Sequence, residues 1–190
     1  NGIIGKSGSG KSTLLQLMGG LRVPDKGVIQ VNGTDLSIFD DEELAIFRRR
    51  NVGLIFRQYN LMPVLNVYEN ITFPLELDSR TIDIEYIHQI AQLLDLEDKL
   101  TMFPKTLSSG ERQKVSIARA LSTKPKVILA DEPTGNLDTR AALEVVGLLK
   151  MTCKEFNQTI VMVTHDKEMA EMADQRIYLR DGKVEKIIRR

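Results

Sequence analysis

The residues best suited to chemistry lie near the amino end, in the stretch GKSGSGKST, Gly5 to Thr13. Gly5, four further residues and then Gly10-Lys11-Ser12 reproduce the spacing G-x-x-x-x-G-K-[ST]. Side chains this small leave backbone N–H groups free to close around an anion, and the helix that follows adds its positive end. Lys11 is placed to reach the β- and γ-phosphates of a nucleoside triphosphate, and the Ser12 hydroxyl to ligate Mg²⁺. A glycine-rich turn that binds nothing would have the same composition. Its setting argues against that: Ile3-Ile4 reads as a strand end, and LLQLM at 14–18 continues from Lys11 as a helix stopped by Gly19 and Gly20.

A second group of reactive residues follows far downstream. VILADEP, from Val127, is an apolar run ending in two carboxylates, Asp131 and Glu132. In a phosphate-loop enzyme the first such carboxylate serves Mg²⁺ and the second can take a proton from the attacking water. Neighbouring residues on a strand point to opposite faces, so Glu132 must already be leaving the strand, and Pro133 makes that plausible. Surface Asp-Glu pairs are more often solvated turns, but here four apolar residues precede the pair. His165 ends a further apolar run, IVMVTH. A lone histidine at a strand end is commonly structural. The carboxyl end of a parallel strand is also where open α/β sheets bind ligands, which suggests contact with the γ-phosphate or the attacking water. His88, on a polar helix face, reads as solvated surface.

The elements that must position these residues alternate between apolar runs and helical periodicity, the pattern of a parallel sheet with crossover helices. Strands are predicted over 27–33, ending in an Asn-Gly turn, and over 52–56, 127–131 and 159–165, with a helix over about 139–154. FDDEELAIFRRRN carries acids first and arginines last, as a helix macrodipole favours. RIYLRDGKVEKII reads as a hairpin on an Asp-Gly turn. Between residues 60 and 107 the texture changes: Pro63, Pro74 and Pro104 punctuate it, and Ile84, Ile87, Ile90, Ala91 and Leu94 fall on one helical face. The expected division is a core of 1–59 and 108–190 with a helical subdomain inserted at 60–107, all within one domain of 190 residues.

Composition narrows the class further. Lys plus Arg and Asp plus Glu balance at 26 each, so no basic excess speaks for nucleic acid. Cys153 stands alone, which excludes a disulfide framework and a multi-cysteine zinc site. No apolar run approaches the length of a membrane span, and no signal peptide is visible. The chain opens at Asn1 with only four residues ahead of the loop, and reads as a fragment lacking its start.

With LSSGERQKVSIARAL at 107–121, DEPTGNLD at 131–138 and VTHD at 163–166, the chain closely resembles the ATP-binding subunit of an ABC transporter. The wording ADEPTGNLD and the block from Phe47 to Leu75 resemble one branch, whose members serve lipoprotein release, macrolide efflux and antimicrobial-peptide resistance, with a relative in cell division. The resemblance implies a P-loop α/β ATPase core in which Gly5, Lys6, Ser7, Gly8, Ser9, Gly10, Lys11, Ser12 and Thr13 bind the phosphates of ATP. It makes Asp131 the Mg²⁺ residue with Ser12, Glu132 the general base and His165 the switch histidine. Ser108, Ser109 and Gly110 would open a helix, capped in the Ser108/Glu111 pattern, whose N-terminus meets the γ-phosphate held by a second copy. Asp138 would lie at the same interface. The implied partners are that second copy, in a homodimer sandwich, and a transmembrane permease, with the subunit on the cytoplasmic face of the membrane. The permease contact is expected in RQYNLMPVLNVYEN, through Leu61, Met62, Val64 and Leu65, which could equally belong to the subdomain's own core.

Three departures from the family pattern stand out. Arg57 occupies the usual place of a Gln that contacts Mg²⁺ and the attacking water. A guanidinium has only donors, so Arg57 is expected to weaken hydrolysis or its coupling, and Gln58, in an extended loop, should face away. Ser109 replaces a Gly, with modest effect expected because its N–H survives. The adenine-stacking aromatic is expected before residue 1. A soluble ATPase acting on DNA or ribosomes is disfavoured: the interval from Lys11 to Ser108 carries no sustained heptads and there is one cassette. The alternative is a slow ATP-dependent regulatory module acting on a membrane partner, like the cell-division relative. The transported substrate and its direction belong to the permease.

Overall fold

Strands of three to seven residues form the frame of the molecule, a computed structural model describing residues 1–190. Strands β1 (Gly2–Ile4), β4 (Val52–Phe56), β5 (Val127–Asp131), β6 (Thr159–Thr164), β7 (Gln175–Arg180) and β8 (Lys183–Arg189) make one sheet in the order β4-β5-β6-β1-β7-β8. All neighbours run parallel except β7 and β8, which pair antiparallel across the Asp181-Gly182 turn. Parallel strands need crossovers. The helices α1 (Lys11–Met18), α2 (Asp41–Asn51), α3 (Val67–Leu77), α4 (Ile84–Leu93), α5 (Ser109–Ser122), α6 (Thr139–Glu155) and α7 (Lys167–Glu171) supply them.

Side chains alternate across a strand, and the sheet uses both faces. Ile128 and Ala130 of β5, with Ile160 and Met162 of β6, join the apolar interior beneath α5 and α6. Leu129, Val161 and Val163 turn the other way, to Ile3 and to Leu15 of α1. The first of these interiors is one cluster of 25 buried residues that also takes in Ile71 and Leu75 of α3 and Ile87 and Ile90 of α4. Apolar packing is therefore continuous from the sheet, through α5, into the helices that lie between β4 and α5. Asp78, just past α3, takes Arg49 (3.2 Å) and Arg50 (2.8 Å) from the end of α2. Those guanidiniums, Arg50 foremost, hold its carboxyl below the usual carboxylate range.

Several expectations need correction. The strand foreseen over 27–33 shrinks to β2 (Gln30–Val31), paired only with β3 (Thr34–Asp35). The Asn-Gly turn itself is present: Asn32 and Gly33 both take positive φ, 50° and 79°, and join β2 to β3 as a tight hairpin. Pro74 does not interrupt its helix but sits inside α3. On α4, Ile84 faces solvent at 60% exposure, and Tyr86 goes inward instead. Position 84 is the first residue of the helix, ahead of the turn that packs. Tyr86 donates its hydroxyl to the Leu121 carbonyl (3.2 Å), and burial, with the Asp83 charge second, pushes its phenol up to about 12. Residues 57–60 are not an extended loop but a turn, with Tyr59 and Asn60 at φ 61° and 49°. No helix is long and apolar enough to cross a membrane.

Candidate active site

The carboxyl ends of β1, β5 and β6 lie side by side, because β6 pairs with both of the others. β1 hands directly to the glycine loop and α1. Six of the seven α-helices begin on a side chain that accepts a first-turn N–H: Asp40, Asn66, Asp83, Ser108, Asp138 and Asp166. α1 does not. Its N-cap is Gly10, at φ 93°, with no side-chain cap. The orphan N–H groups of its first turn are thus left for an external acceptor, at the positive end of the helix. Gly5 is required by close approach: a methyl there would collide with the Leu179 carbonyl and the Ser9 hydroxyl.

Around this loop is a cavity of about 490 Å³ lined by Ser7, Gly8, Gly10, Lys11, Ser12, Thr13, Arg57, Glu132 and His165, with no hydrophobic residue among them. Lys11 is buried, and its ammonium donates to the carbonyls of Gly5 (2.9 Å) and Lys6 (3.0 Å). Ser12 Oγ donates to Asp131 Oδ1 at 3.0 Å, across the 119 residues that separate them. Glu132 Oε2 lies 2.8 Å from His165 Nδ1. An ionised carboxylate only accepts, so this contact places the proton on Nδ1 and leaves Nε2 for other chemistry. Glu132 leaves its strand with φ 48° and lines the cavity, and its own N–H is held by the Val163 carbonyl (3.0 Å).

Other predicted residues lie elsewhere. Ser108, Ser109 and Gly110 do not line this cavity; they form the first turn of α5, where Ser108 Oγ accepts from the Glu111 amide (3.3 Å) and Glu111 Oε2 from the Ser108 amide (2.7 Å). Asp138 caps α6 through the Ala141 amide (2.9 Å). Neither group reaches the loop of its own chain. Sequence reasoning missed two supports. The Gly182 amide of the β7–β8 turn donates to the Ser9 carbonyl (3.1 Å), bracing the loop from behind. Asn136 meets Arg57, donating to its carbonyl (2.8 Å) and accepting from its Nε (3.1 Å). No spacing rule signals either, since both are contacts between distant segments.

Ser12 and Asp131 offer hard oxygen donors a hydrogen bond apart, a donor set that fits Mg²⁺, which takes few protein ligands and completes its shell with phosphate and water.

An uncapped helix wrapped by a glycine loop, beside an acidic strand end in a parallel sheet, places the chain among the P-loop nucleotide hydrolases. Within that class it belongs to the ABC transporter family of ATP-binding domains: the family profile described as "ABC transporter" matches residues 1–135. It is 43% identical over 185 residues to the lipoprotein-releasing system ATP-binding protein LolD 1 of Chlorobium chlorochromatii, covering 96% of this chain and 75% of that one. It is 40% identical over 191 residues to the macrolide export ATP-binding/permease protein MacB of Rhodopirellula baltica, covering 98% of this chain and 28% of that protein. The bacterial ABC transporter cassette MJ0796, solved as a dimer, superposes with a TM-score of 0.86 at 38% identity, over 99% of this chain and 84% of that one. A second structure of that cassette is a dimer in a post-hydrolysis state bound to ADP and Pi.

Proposed function

We propose that the chain hydrolyses Mg²⁺-ATP as a dimer and passes the resulting motion to a membrane permease of the export type. The observation that carries this reading is the meeting of Lys11, Ser12, Glu132 and His165, from three strand ends, around one wholly polar cavity, with Asp131 bonded to Ser12. Loop amides from Gly5 to Thr13 receive the phosphates, and Lys11 exchanges its two carbonyl partners for phosphate oxygens. Ser12 and Asp131 would hold Mg²⁺, which when bound offsets the charge of the β- and γ-phosphates. Glu132 takes a proton from water as the water oxygen bonds to the γ-phosphorus. The bond from that phosphorus to the bridging oxygen breaks, and ADP leaves with the electron pair. His165 orients the Glu132 carboxylate through Nδ1 and presents Nε2 to the reacting groups.

The dimeric form of MJ0796 supports a homodimer, in which the first turn of α5 and Asp138 complete the site of the opposite chain. The relatives named for lipoprotein release and macrolide export support a permease partner, and the use of ATP would put the chain on the cytoplasmic face of that membrane. Within this reading α3 and α4, between residues 60 and 107, form the helical subdomain. Exposed Met62 and Val64 offer the permease a contact there, whereas Leu61 packs against the interior. Base-catalysed proton removal is worth about 10²–10⁴-fold. Glu132→Gln should therefore cut phosphate release by at least about 100-fold while Mg²⁺-ATP binding persists. Lys11→Ala should lose the binding itself. Retained turnover in Glu132→Gln would refute the assignment, and turnover too slow to follow in the parent would favour the regulatory reading.

A further inference from the structure

Among the non-glycine residues lining the cavity, Glu132 alone has a positive φ, 48°. An L-residue holds that conformation only where its surroundings over-determine it. Three contacts of Glu132 itself do so: its amide donates to the Val163 carbonyl (3.0 Å), its carboxylate meets His165 (2.8 Å), and its carbonyl accepts from the Gly135 amide (3.0 Å). The third contact depends on where Gly135 sits, and Gly135 is held by Arg57. Arg57 Nη2 donates to the Gly135 carbonyl (3.0 Å) and Nε to Asn136 Oδ1 (3.1 Å), while Asn136 Nδ2 returns to the Arg57 carbonyl (2.8 Å).

We propose that Arg57 is a positioning residue, whose guanidinium clamps the Gly135-Asn136 turn and thereby fixes Glu132 where its carboxylate can take the proton of the attacking water. The clamp spans two adjacent strand ends, since Phe56 pairs with Asp131 in the sheet. It rests on the assignment of Glu132 as general base. The clamp runs opposite to the expectation drawn from residue type alone, that arginine at this place depresses turnover. It also differs from a direct charge effect on phosphate, which would act on affinity.

Two substitutions disturb the clamp from opposite sides. Arg57→Met keeps the length of the side chain and removes the donors. Gly135→Ala puts a methyl 2.7 Å from Arg57 Nε and 3.0 Å from its Cδ, displacing the guanidinium. In the full chain both should lower kcat about tenfold with KM for Mg²⁺-ATP within about twofold of the parent. The double variant should be no slower than the slower single one, because both act through one contact. Amide exchange across residues 132–138 should quicken about fivefold or more, with the loop at 5–13 unchanged. A kcat that is unchanged or raised in Arg57→Met, or a loss confined to KM, overturns the proposal. Exchange also reads the clamp without turnover. If the parent proves inactive, the general-base assignment fails on its own, and unchanged exchange in both variants would overturn the clamp separately.

Discussion

At the scale of single residues, the phosphate loop is specified by what its side chains leave out. Gly5 has no room for a methyl, because the Leu179 carbonyl belongs to β7 and cannot retreat. Overpacking of this kind costs about 1–3 kcal/mol, so Gly5→Ala should lower the melting temperature by about 5 °C and weaken Mg²⁺-ATP binding, as read by calorimetry. Ser9 makes the contrasting case. Its hydroxyl is buried without a partner, and its share in the loop is through backbone. Ser9→Ala should leave stability unchanged or raise it by up to about 1 kcal/mol; a clear loss in a urea titration would mean that the hydroxyl has a role in the folded loop. Legibility differed in the same way. Lys11, Ser12, Asp131, Glu132 and His165 could be read from residue type and spacing. The partners of Arg57 could not, because Gly135 and Asn136 lie 78 and 79 residues away and meet it only through strand pairing.

At the scale of elements, helix ends are where local sequence has most authority. The reciprocal contact of Ser108 and Glu111 at α5 was visible as a spacing and is present as two hydrogen bonds. Ser108→Ala should cost about 1 kcal/mol, measured as a shift in the unfolding midpoint. The Ser108 amide first, then its hydroxyl and the Lys99 ammonium, hold the Glu111 carboxyl below its ordinary value of 4.5. A carboxyl depressed on folding contributes stability above its unfolded value and loses it as pH falls toward the folded one. Glu111→Gln should therefore destabilise at neutral pH, and the difference from the parent should shrink below pH 4.5. A gap that persists in acid would assign the effect to shape, not charge. Element ends also held the misreadings. Ile84 obeys the helical period yet stays in water at the first position of α4, while Tyr86 two residues on takes the inward place.

At the scale of the molecule, the proposed dimer would give one chain two half-sites. Its loop shares a cavity with its own Glu132 and His165, and Ser12 bonds Asp131, whereas its α5 N-terminus and Asp138 lie outside that cavity. The dimeric reading predicts complementation. Lys11→Ala and Gly110→Asp should each be inactive alone. Gly110→Asp should still fold, since an added Cβ meets only Ala141 Cβ at 3.9 Å. Mixed under exchange, the two should recover up to about a quarter of parental hydrolysis, because half the dimers then carry one intact site of two. No recovery would place the completed site within a single chain.

The order of motifs along the chain, the apolar strands that end in them and the capping pairs are local properties, so the sequence alone determined the fold class and the chemistry expected of Lys11, Asp131 and Glu132. Tertiary structure decided the rest. Which strand ends are neighbours, the backbone turn that brings Glu132 round beside His165, and the partner that Arg57 finds all follow from pairing between segments far apart in the chain. Hydrogen bonds and packing across such distances are selected by the whole sheet at once, and no window of sequence contains both sides of the contact.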